Sequence, residues 1–209
     1  TGRDRLVLNV ENKVEDVTQA LLTMARGSTR SQEVNELTKQ IIAESVAEEY
    51  AAHGINSDPN SLYEAANGGL SGNMLGKERK KMPTIGSWYR RIQNKASENT
   101  NQDYNFHYSY LLKVMKQYIR EYDGQMAYFD GQSTFDLLDG TLFINLDISQ
   151  LEERFARPLA QQILLAWIWE KYVKKNSEDR NKAAKKRVLV DEAWMLLPYP
   201  EAVDFLNTM

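Results

Sequence analysis

Hydrophobic residues recur at helical spacing between residues 14 and 122. The first stripe ends at Gly27 and the second near Gly54, as expected where a glycine with left-handed backbone closes a helix. Two further helices are predicted, one capped by Thr84 and one over residues 104–122. The stripe residues are Val14, Val17, Leu21 and Met24; Val34, Leu37, Ile41, Ile42, Val46 and Tyr50; Ile85, Trp88, Tyr89 and Ile92; and Tyr108, Leu111, Met115, Tyr118 and Tyr122. This pattern predicts that the middle of the chain is all-helical.

The spacing changes from helical to extended after Gly124. The predicted strands are residues 5–10, 126–129, 141–146 and 187–190. Between the last two strands lies a helical region with a capping-box pair at Ser149 and Glu152 and an apolar face that follows Pro158. The order strand, helix, strand predicts a right-handed crossover between parallel strands. The carboxyl-terminal part is therefore expected to be α/β.

The composition argues against several kinds of site and partner for this chain, and sets the size of its core. With 209 residues and 42% hydrophobic content, the chain is long enough for one sizeable core. It has no cysteine and only two histidines, so disulfide scaffolds, thiolate metal sites and a zinc centre are not expected. The formal net charge of -3 gives no overall basic field that would demand a nucleic-acid partner. The longest apolar stretch, residues 163–169, is too short to cross a bilayer.

The most informative segment is residues 187–194, Arg-Val-Leu-Val-Asp-Glu-Ala-Trp. Its aliphatic run predicts a buried strand, and Asp191 and Glu192 would then lie at the carboxyl edge of a parallel sheet, where open α/β folds bind ligands. In a nucleotide hydrolase Asp191 would hold Mg²⁺ through water, and Glu192 would orient and polarise the attacking water. The alternative is a strand that ends in a solvated acidic turn, because such a run also arises by chance.

Four separate segments resemble the conjugative-transfer ATPases of type IV secretion systems, especially those of Gram-positive conjugative elements. Residues 188–197 (Val-Leu-Val-Asp-Glu-Ala-Trp-Met-Leu-Leu) are similar to the Walker B segment of that family, and residues 128–134 (Tyr-Phe-Asp-Gly-Gln-Ser-Thr) to its Phe-Asp-Gly turn. Residues 145–151 resemble the strand-to-helix passage that follows this turn. Residues 83–89, which include Pro-Thr-Ile followed by Trp-Tyr, resemble the Pro-Thr-Leu helix start in the helical insertion of that family. Four matches in the same order are harder to obtain by accident than one Asp-Glu pair.

The resemblance implies an α/β fold, a partial RecA-like P-loop NTPase core with a parallel sheet and an all-α inserted lobe. Residues 1–12 would be a remnant of a core strand, residues 13–122 the helical lobe, and residues 123–209 the core segment with Walker B. The intact protein would be an ATPase that uses ATP and Mg²⁺ to energise conjugative DNA transfer or type IV secretion. Asp191 would bind Mg²⁺ and Glu192 would be the catalytic residue.

The resemblance also implies partners and a location. The intact ATPase would assemble with other copies of itself, as a hexamer, and would contact components of the type IV secretion channel. It would be cytoplasmic and peripheral to the inner face of the cell membrane, where its partners hold it.

The chain departs from the family in the phosphate-binding loop. A Walker A loop needs Gly, four residues, then Gly-Lys and a Ser or Thr, and no segment of this chain has that pattern. At Gly76 and Lys77, Glu78 replaces the hydroxyl residue and Ser71 replaces the first glycine. Thr1 in place of an initiator Met favours a fragment, and because the loop is missing we expect that this fragment does not hydrolyse ATP alone.

Other functions are compatible with the sequence. The helical lobe would serve as a non-catalytic interaction module that docks secretion components or neighbouring subunits. Basic clusters at residues 77–81 and 182–187 would contact DNA phosphates or acidic lipid, although solvated loop charge explains them more simply. The tyrosine-rich stretch 104–122 would stack on single-stranded bases or, as its helical spacing favours, belong to the core. His53 and His107 are interpreted as surface or half-buried residues.

Overall fold

The structure, a computed structural model, describes residues 9–27, 34–65, 77–132, 145–152, 154–168, 189–200 and 203. The chain divides into two compact units. The helical unit comprises Thr1–Thr18 and Glu36–Asp136, and the carboxyl-terminal unit comprises Gln19–Asn35 and Leu137–Met209.

Helix α1 (Val10–Arg26) contributes residues to both units. It begins at Val10 because Asn9 caps it, with Asn9 Oδ1 accepting a hydrogen bond of 3.0 Å from the amide of Asn12. The strand predicted at this end is therefore wrong at Val10, and its residues 5–8 lie outside the described residues. The predicted helix and its stop are confirmed, since Gly27 follows the last turn with a φ of 64°.

Three helices form the core of the helical unit: α2 (Glu36–Ala52), α3 (Ile85–Glu98) and α4 (Gln102–Met115). Their predicted apolar stripes are buried, which confirms the helical interpretation of this part of the chain. The buried stripe residues are Ile41, Ile42 and Val46; Trp88, Tyr89 and Ile92; and Tyr108, Leu111 and Met115. Thr84 caps α3 as predicted, in a reciprocal capping box with Ser87.

Buried polar pairs join α2 to α3 and α4, and we call them the polar seam. The pairs are Thr38 with His107 (Oγ1 to Nδ1, 2.7 Å), Ser45 with Trp88 (Oγ to Nε1, 2.7 Å) and Glu49 with Arg91 (Oε2 to Nε, 2.6 Å). The α2 side chains of all three pairs are buried. His107 is also buried, contrary to the surface or half-buried position predicted from the sequence, because the Thr38 hydroxyl satisfies its ring nitrogen. His53 is half-buried, as predicted.

The helix predicted over residues 104–122 ends early. After Met115 the backbone tightens into short 3-10 helices at Lys116–Tyr118 and Arg120–Tyr122, separated by Ile119 in extended conformation. Gly124 then approaches the carbonyl of Gln117 so closely that a Cβ atom would overlap it. The sequence spacing does not indicate this break. Tyr118 is buried, and a continuous helix would have buried it as well.

The strand predicted at residues 126–129 is wrong, because Ala127–Phe129 is a 3-10 helix. Its carboxyl end leads directly into Asp130, whose side chain is bonded to the backbone of two other segments of the unit. These bonds hold the segment in a compact turn that has no strand partner among the described residues.

Residues 55–82 are rich in polar residues and contain a small β-hairpin. A 3-10 helix (Pro59–Leu62) precedes strand β1 (Tyr63–Ala65), which pairs with β2 (Lys77–Arg79) in antiparallel fashion. The strands are too short to show alternation, so the sequence pattern does not predict them.

The carboxyl-terminal unit is built around helix α5 (Ala156–Ile168). Its apolar core includes Phe155, Leu159, Leu165 and Leu196. The predicted apolar face is only partly buried, because Ile163, Leu164, Trp167 and Ile168 keep intermediate exposure. Tyr199 packs on Phe155 with ring centroids 6.1 Å apart and donates a hydrogen bond to the carbonyl of Arg154.

The two-stranded hairpin is the only sheet among the described residues. Residues 141–144 and 187–188 of the predicted parallel strands lie outside that part of the chain, and residues 145–146 and 189–190 have no strand pairing. The parallel sheet and RecA-like core therefore stay a prediction.

In the part of the chain that the structure describes, no helix combines the length and hydrophobicity needed to cross a bilayer.

Candidate functional site

Asp191 and Glu192 occupy an exposed turn that leads into the 3-10 helix Ala193–Leu196. Glu192 has left-handed backbone, with φ of 53° and ψ of 34°, which is uncommon outside glycine and asparagine. The Oδ1 atom of Asp191 accepts a hydrogen bond of 2.9 Å from the Glu192 amide. This bond restrains the Asp191 carboxylate, and both residues are exposed to solvent.

The first turns of α5 hold this acidic turn. Arg157 Nη1 lies 3.7 Å from Glu192 Oε2, in an ion pair whose arginine side chain is only 14% exposed while that of the glutamate is 47% exposed. One turn further, Gln161 Nε2 donates a hydrogen bond of 3.1 Å to the carbonyl of Asp191. Each residue of the acidic pair thus has one contact with the same face of α5.

Arg157 also binds the loop that precedes α5. Its Nη2 atom donates to the carbonyls of Ser149 and Leu151, at 2.8 and 3.2 Å. In that loop the amide and the hydroxyl group of Ser149 lower the pKa of Asp147, and the charge of Arg157 acts in the same direction. Arg157 therefore joins the residues that follow two of the predicted strands, 141–146 and 187–190.

Sequence analysis missed Arg157 and Gln161. The only local signal was that Arg157 and Gln161 lie four residues apart in a helical region, which places them on one face. Which residues this face meets depends on the packing of residues far apart in the sequence, and that information is not present in the local pattern.

The apolar surroundings of the acidic turn differ from the prediction. Leu189 is 93% exposed, so the described end of residues 187–190 is not a buried strand. Of the apolar run that follows, Met195 and Leu196 are buried, but Trp194 and Leu197 are exposed. Half of that run is therefore buried, because a 3-10 helix turns Trp194 and Leu197 to one common side.

The acidic turn offers exposed carboxylates as the groups that could hold Mg²⁺. Among the described residues no three acidic or histidine side chains converge on one point. Magnesium is commonly bound through one or two carboxylates, with water and phosphate oxygens as the other ligands. Exposed Asp191 can serve as such a carboxylate, and the buried Oε1 atom of Gln161 beside the turn is an acceptor without a hydrogen-bond partner.

The turn that resembles the Phe-Asp-Gly motif lies in the helical unit and has a structural role there. Asp130 is buried, and its two oxygens accept hydrogen bonds from the amides of Gly86 (2.8 Å) and Arg120 (3.1 Å). Gln132 makes a pair of bonds with the backbone of Met82, at 3.0 and 2.6 Å. The turn thereby fixes the start of α3, where Asp130 also faces the positive end of the helix dipole.

No protein-family model matches the chain, and comparison with curated proteins and with solved structures found no significant match.

Proposed function

We propose that this chain is part of an ATP-hydrolysing motor that energises conjugative transfer or type IV secretion. The observation that carries the proposal is the acidic pair Asp191 and Glu192, which follows an aliphatic run within a segment that resembles Walker B. The exposure of both carboxylates and the contact of Arg157 with Glu192 support it, since a water-activating group must be both accessible and held in place.

In this proposal the two acids have different roles. Asp191 would hold Mg²⁺ through water, and the bound ion would supply charge neutralisation for the triphosphate. Glu192 accepts a hydrogen bond from the attacking water and orients it in line with the phosphate. Arg157 limits the positions of the Glu192 carboxylate, and Gln161 fixes the backbone beside Asp191. The phosphate-binding loop does not come from this segment of sequence.

The remaining parts of the proposal follow from the same resemblance. The motor assembles from several copies of the chain and contacts secretion-channel components at the cytoplasmic face of the membrane. A second function is favoured by the helical unit, whose α4 exposes 73% of Phe106. In that case the unit is a non-catalytic module that docks secretion partners or neighbouring subunits.

The test uses the full reading frame that encodes this chain, so that any phosphate-binding loop it specifies is present. We expect Glu192→Gln to keep affinity for ATP with Mg²⁺ and to lower ATP turnover by about 100-fold or more. Turnover is measured by phosphate release, and nucleotide binding by calorimetry.

The matched control is Glu121→Gln, because Glu121 is similarly exposed and forms an ion pair with Arg90 in the helical unit. This variant should turn over ATP at the wild-type rate. Equal turnover in Glu192→Gln would refute the role of Glu192. Absence of ATP binding by the wild-type protein would refute the motor itself and leave the docking module as the better explanation.

A further inference from the structure

The β-hairpin separates its charges between two faces. In the register of the strands Tyr63 lies opposite Arg79, and Glu64 lies opposite Glu78. Because side chains alternate along a strand, Lys77 and Arg79 share one face with Tyr63, while the two glutamates share the other. We call the face of Tyr63, Lys77 and Arg79 the basic face.

Lys80 shows which face is directed outward. Its backbone amide donates to the carbonyl of Leu62, so the pairing of the hairpin continues past β2 and Lys80 lies on the side of Glu78. Its Nζ atom donates to the carbonyls of His53 and Gly54, at 3.1 and 3.3 Å, at the carboxyl end of α2. At β2, the side with Glu78 and Lys80 therefore faces the end of α2, while Glu64 on β1 is exposed, and the basic face of β2 is directed away from α2.

Burial and spacing agree with this orientation. Lys77, Arg79 and the following Lys81 are exposed, whereas Glu78 and Lys80 are half-buried. The three outward cations stand at every second residue, about 6.6 Å apart in an extended chain. Arg79 and Lys81 form no ion pair with the described residues. Tyr63 adds an aromatic ring, 43% exposed, beside Arg79.

We infer that the basic face of the hairpin, extended by Lys81, binds single-stranded nucleic acid. A row of cations along an extended backbone suits a chain of phosphates, and an exposed ring suits stacking on an unpaired base. A membrane surface is the less suitable ligand, because amphipathic membrane binding needs a broad apolar face and the basic face offers one tyrosine. This inference is independent of ATP hydrolysis by the chain.

The test measures the binding of a fluorescent oligothymidine of about 16 nucleotides to the full chain by anisotropy over a range of salt concentrations. Each phosphate contact with a single strand contributes about 0.7 to the slope of log affinity against log salt. The triple variant Lys77→Gln, Arg79→Gln, Lys81→Gln should therefore lower that slope by about 2 and weaken binding most at low salt. Tyr63→Ala should weaken binding by about 5-fold to 100-fold without changing the slope.

Two control variants carry charge changes elsewhere. Lys39→Gln with Lys113→Gln removes exposed cations from α2 and α4, and Glu64→Gln changes the opposite side of the hairpin. Both should leave the slope unchanged. The inference is overturned if the wild-type chain does not bind the oligonucleotide at low salt, or if the Lys39 and Lys113 variant lowers the slope as much as the triple variant. It is also overturned if vesicles of anionic lipid bind through these residues and the oligonucleotide does not.

Discussion

Gly86 lies where the backbone of α3 meets the carboxylate of Asp130. A Cβ atom at this position would stand 2.8 Å from Asp130 Oδ2 and 3.3 Å from Oδ1. The first distance is shorter than carbon and oxygen tolerate, and the carboxylate cannot move without loosening its bonds to Gly86 and Arg120. The hydrogen atom of glycine is therefore a condition for the contact between the helix start and the turn.

We predict that Gly86→Ala destabilises the helical unit by about 1–3 kcal/mol. The added methyl group forces the Asp130 carboxylate away from the buried amide of Gly86 and the part-buried amide of Arg120, which then lose their partner. The free energy of unfolding in urea measures the effect.

Gly131→Ala is the control for that measurement, since it belongs to the same turn. Its added Cβ would meet only the end of the Arg120 side chain, at 3.3 Å, and this side chain can move. A change within about 0.5 kcal/mol is expected for it. Similar losses in the two variants would show that the Asp130 contact is not the cause.

The start of α5 shows how one side chain sets the boundary of an element. The carboxylate of Glu152 accepts hydrogen bonds from the amides of Arg154 and Phe155, at 2.8 and 3.0 Å, and more weakly from Ala156 at 3.5 Å. Burial alone would raise the pKa of Glu152, but these donors outweigh it and hold the pKa below its usual 4.5. The predicted helix start with a capping box between Ser149 and Glu152 is therefore wrong, because α5 begins at Ala156 and Glu152 caps it without Ser149.

The cap makes the stability of α5 depend on pH. Because the folded-state pKa of Glu152 is lowered, its contribution is present above the unfolded-state pKa near 4.5 and is lost as pH falls through the folded-state value. We predict that Glu152→Gln lowers the free energy of unfolding by about 1 kcal/mol at pH 7 and by progressively less below pH 4.5.

Urea titrations of both proteins over this pH range provide the measurement. Glu98→Gln, at the exposed end of α3, should change the free energy by no more than about 0.5 kcal/mol at any pH. A difference for Glu152→Gln that stays constant with pH would mean that the ionised carboxylate is not the capping group.

For the whole molecule, the division into two units has a measurable consequence. Ile92 is fully buried in the helical unit, and Leu165 is 4% exposed in the carboxyl-terminal unit. We predict that Ile92→Ala, which costs about 2–5 kcal/mol, accelerates hydrogen exchange in α2, α3 and α4 and leaves α5 unchanged. Leu165→Ala should have the opposite pattern.

Hydrogen exchange followed by mass spectrometry resolves these segments. Among the described helices only α1 contributes residues to both units, so its amides show which unit limits its opening. Uniform acceleration of both units by either substitution would mean that the chain unfolds as one cooperative body.

The helices could be predicted from the sequence because their signals are local. Apolar residues at helical spacing and a capping threonine at residue 84 define α1 to α4 without reference to the rest of the chain. The end of α4 could not be predicted, because Tyr118 beyond it is buried as it would be in a continuous helix. The hairpin could not be predicted either, because each strand has three residues.

The candidate site was predictable only in part. Adjacent acids after an aliphatic run identified Asp191 and Glu192, and the structure places both on an exposed turn. The contact with Arg157 depends on residues far apart in the sequence, so no local pattern gives it. The predicted parallel sheet around the turn is still a prediction, since most of its two central strands lies outside the described residues.

The polar seam limits how α2 can rearrange. A shift of α2 by one helical turn, about 5.4 Å, would misalign its hydroxyl and carboxylate partners with His107, Trp88 and Arg91 all at once. Purely aliphatic ridges would tolerate such sliding, because one methyl group substitutes for another. Any conformational change that moves α2 must therefore move it as one body with its neighbours, or break all three polar pairs in a single step.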